Sequence, residues 1–191
     1  MPLTAPNLWH LLEARVAATP DAEMLVDELG NRMTFAEYRN AAERMAAGFH
    51  QLGVGAGDVV AWELPTWLDT IVLASALSRL GAVQNPIIAI YREREVGFCV
   101  RQAGAKLLIT PSEPGSFDFA AMGASLASEI DGLRHLAVNR GEFPAGDVAA
   151  LPPAPDDDGT VLRWLCYTSG TTSDPKGAKH TDGSIQALSL I

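Results

Sequence analysis

The sequence predicts an α/β fold: a mostly parallel, doubly wound sheet with helices on both faces. Three observations carry that prediction. Runs of strand length at 59–64, 106–110 and 134–138 lack the polar alternation of a half-exposed strand, as strands covered on both faces do. Longer segments with apolar residues at helical spacing separate them, and glycine closes two of these at positions 81 and 104. The composition, 48% hydrophobic and 19% charged over 191 residues, supports a buried core in a chain of one-domain length.

Element by element, Asn7 caps a helix whose apolar stripe is Leu8, Leu11, Leu12 and Val16, ending before Pro20. Two short strands follow at 23–27 and 32–34, with Gly30-Asn31 turning between them. Thr34 and Glu37 form a capping box, in which each side chain satisfies the other's backbone N–H. Phe35, Tyr38, Ala42, Met45, Phe49 and Leu52 then repeat at helical spacing, and Gly53 stands at the left-handed cap. Onward, a strand at 59–64, a helix at 67–80, a strand at 83–88 and a helix at 93–103 alternate. A strand at 106–110, a helix at 117–130 and a strand at 134–138 complete this N-terminal α/β subdomain, residues 1–140.

The pattern breaks at 141–159. Pro144, Pro152, Pro153 and Pro155, with Asp147 and the run Asp156-Asp157-Asp158, mark a loop whose acidic side chains are expected in solvent. Residues 160–191 hold a further strand, a glycine- and hydroxyl-rich loop and the start of a helix capped by Asp182.

Charge and composition exclude several functions. The formal net charge of −9 offers no basic surplus to neutralise phosphates of nucleic acid or an anionic membrane. The most apolar stretch, 71–90, is interrupted by Arg79, Gln84, Asn85 and Pro86, so no transmembrane segment is expected. The N-terminus lacks the basic and apolar regions of a signal peptide, which points to the cytoplasm. Cys99 and Cys166 show no metal or disulfide spacing and read as small core residues. His10, His50, His135 and His180 are scattered without metal-ligand spacing, and Trp62, Trp67 and Trp164 are expected to pack against the sheet.

The chemistry concentrates in Thr168-Ser169-Gly170-Thr171-Thr172-Ser173-Asp174-Pro175-Lys176-Gly177, entered from the apolar run 161–167. Glycines let backbone amides converge on one anion, hydroxyls add short donors, and Lys176 adds a charge for oxygens that become more negative during reaction. Pro175 fixes φ just before that lysine. The loop suits a polyphosphate, yet it lacks the spacing of a Walker A motif.

This stretch resembles the phosphate-binding signature of the AMP-forming adenylating superfamily, which includes acyl-CoA synthetases, peptide-synthetase adenylation domains and firefly luciferase. Ser173 stands where a glycine is common. The segments from Met33 to Tyr38, from Gly53 to Val60, from Gly81 to Pro86 and from Gly104 to Ile109 are similar to that family's N-terminal domain, in register. The stretch beginning Asn85-Pro86 is similar to synthetases for medium-chain, alicyclic or aromatic acids. Asp182 stands where many members have His or Asn.

The resemblance implies a two-step reaction. A carboxylic acid and Mg2+-bound ATP give an acyl-adenylate and pyrophosphate, and a thiol, that of coenzyme A or of a carrier protein, then displaces AMP. It implies that Thr168, Ser169, Gly170, Thr171, Thr172, Ser173, Lys176 and Gly177 bind the ATP phosphates, with no catalytic acid–base residue or metal ligand among them. The family's adenine-binding, acyl-binding and C-terminal elements have no counterpart in these residues. The chain alone is therefore expected to form no thioester. The alternative is a non-catalytic truncated module that binds ATP, pyrophosphate or a protein partner. Ile185, Leu188 and Ile191 would present an apolar stripe, with self-association or a disordered C-terminus as the expected result.

Overall fold

The computed structural model describes residues 5–113, 115–168 and 175–188. Helix α1 (Leu8–Ala18) opens as expected: Asn7 Oδ1 accepts the His10 N–H at 3.0 Å. Its buried residues are Trp9 and Leu12, whereas Leu8, Leu11 and Val16 are half-buried. The helix is thus rotated from the predicted stripe, because Trp9 carries more apolar surface than any of its leucines and lies beneath the Arg79 guanidinium, 5.7 Å from the ring centroid.

Strands β1 (Glu23–Val26) and β2 (Arg32–Thr34) pair antiparallel as a small separate sheet. The capping box then starts helix α2 (Phe35–Gln51): Glu37 N–H donates to Thr34 Oγ1 at 3.2 Å, and Glu37 Oε2 accepts the Thr34 N–H at 2.8 Å. Tyr38, Ala42, Met45 and Phe49 of the predicted stripe are buried, while Phe35 is half-buried and Leu52 is exposed.

The main sheet follows in β–α alternation. Its elements are β3 (Val59–Trp62), α3 (Leu68–Leu80), β4 (Val83–Pro86), α4 (Glu93–Ala103), β5 (Leu107–Pro111), α5 (Phe119–Glu129) and β6 (Arg134–Val138). Gly81 and Gly104 close α3 and α4 in the left-handed conformation, at φ 70° and 63°. After a longer connection come β7 (Leu162–Thr168), β8 (Lys176–Thr181) and α6 (Asp182–Leu188). The strand order is β6-β5-β3-β4-β7-β8, parallel throughout except for the antiparallel pair β7–β8.

Helices cover both faces. On one, α2 and α3 pack through Phe49, Leu73 and Leu77 onto Val60 and Ile109, and α1 packs on those two helices. On the other, α4 and α5 pack through Val96, Cys99, Val100 and Leu126 onto Ala61 and Leu108. Each fully buried large side chain contributes about 1.5–3 kcal/mol. The chain leaves β3 and β4 toward opposite faces, and a crevice outside the carboxyl ends of two such strands is where open α/β sheets bind ligands.

Three features depart from the sequence reading. First, Lys176–Thr181 is a strand, where the sequence predicts the end of the loop and the approach to a helix. Its ladder with β7, rather than apolar burial, holds it extended. Second, Asp182 is not the cap of α6. Thr181 Oγ1 accepts the Ser184 N–H at 3.1 Å in that role, while the buried Asp182 carboxylate reaches away from the helix. Third, the segment 141–159 is packed onto the domain. Gly146 N–H donates to Arg44 O, and Pro152 O accepts from Arg79 Nη2, each at 2.9 Å. Asp157 is not in solvent: it pairs with Arg163 at 2.7 Å, the two side chains only 15% and 7% exposed. Paired this way, neither charge is left buried without a partner.

Candidate functional site: the mouth of the β7–β8 hairpin

Strand β7 alternates cleanly, with Arg163, Leu165 and Tyr167 buried and Thr168 exposed at its end. Its register with β8 places Leu162 opposite Thr181 and Thr168 opposite Lys176. The two sequence-predicted residues Thr168 and Lys176 are therefore cross-strand partners at the open end of a hairpin. Both are exposed, and among the described residues Lys176 makes no ion pair. Since β7 runs parallel to β4, this mouth lies at the same end of the sheet as the crevice outside β3 and β4. Ser169, Gly170, Thr171, Thr172 and Ser173 lie outside the described residues.

Gly177 sits opposite Tyr167. A glycine in a phosphate-binding loop is expected for its backbone freedom, but the φ of Gly177 is not positive. Steric approach explains it instead: a Cβ there would lie 3.1 Å from Cε1 and Cζ of the Tyr167 ring. That ring also meets Phe98 edge-on, with centroids 6.5 Å apart, which ties the hairpin to α4. On the far edge, β8 exposes Lys176 and Lys179, charges that discourage pairing with another strand.

The base of the hairpin is fastened at several points. Arg163 Nη1 donates to Gly81 O at 2.5 Å while its other arm holds Asp157. Asp182 Oδ1 accepts the Trp164 indole N–H at 3.1 Å, and Oδ2 accepts the Leu8 N–H at 3.0 Å, at the positive N-terminus of α1. Trp164 also lines a cleft of about 530 Å3, with Leu8, Leu11, Phe35, Tyr38 and Ser75 among its walls. Of the described phosphate-binding residues, Thr168, Lys176 and Gly177 do not line that cleft.

One acidic residue near the crevice belongs to no motif in the sequence. Glu63 directly follows β3, is 0% exposed, and neither carboxyl oxygen has a hydrogen-bond partner among the described residues. Burial pushes its pKa up to about 8, against the pull of Arg92, so at neutral pH it is a carboxylic acid. The signal was present: Glu63 lies two residues beyond the inward-facing Ala61, hence on the same face of the strand. Cys99 is buried and its thiol is pushed up to about 11, chiefly by desolvation; burial likewise raises the half-buried Cys166. Neither thiol is activated as a nucleophile.

An exposed hydroxyl facing an exposed ammonium is suited to hold the oxygens of a polyanion. Among the described residues, no group of three His, Cys, Asp or Glu could hold a metal ion, and no helix is long and apolar enough to cross a membrane. Of the expected apolar stripe, Leu188 is 66% exposed, Ile185 is half-buried, and Ile191 lies outside the described residues.

Comparison with known proteins converges on one family. The model of the AMP-binding enzyme family matches residues 12–190. The chain is 31% identical over 193 residues to the long-chain-fatty-acid–CoA ligase FadD13 of Mycobacterium tuberculosis, covering 95% of this chain and 36% of the ligase. It is 32% identical over 172 residues to 4-coumarate-CoA ligase 1 of Narcissus pseudonarcissus, covering 86% and 31% respectively. In fold it resembles the crystal structure of a putative long-chain-fatty-acid CoA ligase from Rhodopseudomonas palustris. There the TM-score is 0.79 at 23% identity, over 96% of this chain and 46% of that one. The chain thus spans about a third of the length of the curated relatives it matches.

Proposed function

The chain belongs to the AMP-binding enzyme family, and from that premise we propose that it supplies the N-terminal portion of an ATP-dependent, AMP-forming acid–thiol ligase, an acyl-CoA synthetase. The observation that carries this reading is the register pairing of Thr168 with Lys176 at the hairpin mouth, at the ligand-binding end of the sheet. In this reading the hairpin grips the β- and γ-phosphates of ATP. A carboxylate oxygen of the acid attacks the α-phosphorus, the bond to the pyrophosphate oxygen breaks, and acyl-adenylate remains. Lys176 stabilises the charge that accumulates on the departing pyrophosphate, and Thr168 supplies a hydroxyl donor. The thiol of coenzyme A then attacks the acyl carbon, forming the thioester and releasing AMP.

The residues present fit this cargo. The Lys176 ammonium, exposed and without an ion pair among the described residues, matches phosphate oxygens, and Mg2+ takes phosphate oxygens and water readily without an all-protein cage. When bound with ATP, Mg2+ supplies neutralising charge.

The intact mass of the protein made in its own cells is the first measurement. The same material then enters an ATP–pyrophosphate exchange assay with aliphatic, alicyclic and aromatic carboxylic acids. Exchange that depends on one acid class is expected. Absence of acid-dependent exchange from a protein much heavier than 20.3 kDa overturns the ligase reading.

A further inference from the structure

Strand β4 is the neighbour through which the hairpin joins the parallel sheet, yet the two strands register at one pair, Gln84 opposite Trp164. The cause lies in Asn85-Pro86. The N–H groups of Val83 and Ile87 point toward β3, donating to Asp58 O and Trp62 O at 2.9 Å each. Successive N–H positions alternate sides along a strand, so the nitrogen of Pro86 faces β7. Proline has no N–H to donate.

A side chain fills that place in the ladder. Asn85 Nδ2 donates to Leu165 O at 2.8 Å, in a site where Asn85 is 0% and Leu165 is 8% exposed. Beyond Leu165, the strand partners of Cys166, Tyr167 and Thr168 among the described residues are all on β8: Ala178, Gly177 and Lys176. The hairpin therefore projects past β4 from its hydrogen bond to Asn85.

We propose that Asn85 is a positioning residue for the phosphate-binding hairpin: by supplying the donor that Pro86 lacks, it holds β7 in register against β4 and so sets where Thr168 and Lys176 stand. The inference rests on the reading of that hairpin as a phosphate grip. Asn85 touches no reacting atom; it acts through the Leu165 carbonyl.

Asn85→Asp makes the donor titratable, because the neutral acid keeps an O–H and the carboxylate has none. Hydrogen exchange of the intact chain is the readout, measured as protection corrected for intrinsic rates. At low pH, protection of the described hairpin amides should match the wild type. As the introduced carboxyl ionises, it should fall about 5- to 150-fold, the range for one lost buried hydrogen bond, while β5 and β6 amides hold. Protection independent of pH, or lost evenly across the sheet, overturns the proposal.

A second pair of variants tests the donor without titration. Asn85→Leu should lose hairpin protection, and adding Pro86→Ala, which returns an N–H to the ladder, should recover part of it. No recovery overturns the donor role. Inorganic pyrophosphate then serves as the binding probe: Asn85→Leu should bind it more weakly than the wild type, and equal affinity overturns the positioning role. Failure of the wild type to bind pyrophosphate would defeat the phosphate-grip reading instead, with the exchange results still deciding whether Asn85 anchors the hairpin.

Discussion

Trp164 donates its indole N–H to Asp182 at 3.1 Å, joining the strand that enters the hairpin to the residue that follows it. The second carboxylate oxygen takes the Leu8 N–H at 3.0 Å, so one buried aspartate binds β7, α6 and the start of α1. Asp182→Asn keeps the size but offers one acceptor oxygen for two donors. One half-buried donor is left without its acceptor, so a loss of about 1 kcal/mol is expected. Urea denaturation checks it, and an unchanged midpoint would contradict the clamp.

Gly48 gives a test in which the sign is informative. Alanine inside a helix normally stabilises relative to glycine by about 1 kcal/mol. Here a methyl group would sit 2.5 Å from the Ala145 nitrogen, where the segment 141–159 crosses α2. Gly48→Ala should therefore destabilise, by about 1–3 kcal/mol from overpacking. A stabilised variant in thermal or urea unfolding would mean the crossing is not packed as described.

Glu63 predicts a pH dependence. Its ordinary value is 4.5 and burial raises it to about 8 in the folded chain. Below the lower value both states hold the proton, and this group imposes no penalty. Between the two values the unfolded chain ionises while the folded one stays neutral, so stability falls with rising pH by at most about 1.4 kcal/mol per unit. The loss is complete once pH has passed the folded value. Glu63→Gln should remove this component. Wild-type and variant urea midpoints that run parallel across that window would refute the buried neutral acid.

Lys176 is exposed, so its removal should leave stability within about 0.5 kcal/mol. Under the proposed phosphate grip, Lys176→Ala would remove one charge-assisted contact worth about 1.5–3 kcal/mol, so pyrophosphate-linked turnover of an active ligase should fall roughly 10- to 150-fold. An unchanged exchange rate with unchanged stability would remove Lys176 from the phosphate grip.

Much of the fold was legible because local signals agreed with one another. The helix at 93–103 and the strand at 134–138 fall at their predicted limits, as do the capping box at Thr34 and Glu37 and the left-handed glycines 81 and 104. Each rests on spacing or on a backbone requirement that a few neighbouring residues express by themselves. The site was legible as an order of residue types, from Thr168 to Gly177, whose hydroxyls, glycines and lysine suit a polyphosphate.

What remained hidden depends on which groups the folded chain brings together. Strand β8 has no apolar pattern to announce it, since it is an exposed edge and pairing with β7 makes it a strand. Asp157 reads as one of three solvated acids until Arg163, six positions away, closes on it in the folded chain. Asp182 has the composition of a helix cap, and only the approach of Leu8, 174 positions earlier, gives its carboxylate a different task.

By itself, then, the sequence determined the α/β class, the order of its alternating elements and the chemical character of the loop between Tyr167 and Ala178, because periodicity, capping and residue chemistry are local properties. Tertiary structure alone decided that Glu63 is buried as a neutral acid, that Thr168 faces Lys176, and that Asn85 does for β7 what Pro86 cannot. Burial and cross-strand register are set by which surfaces meet, and a linear pattern does not contain that.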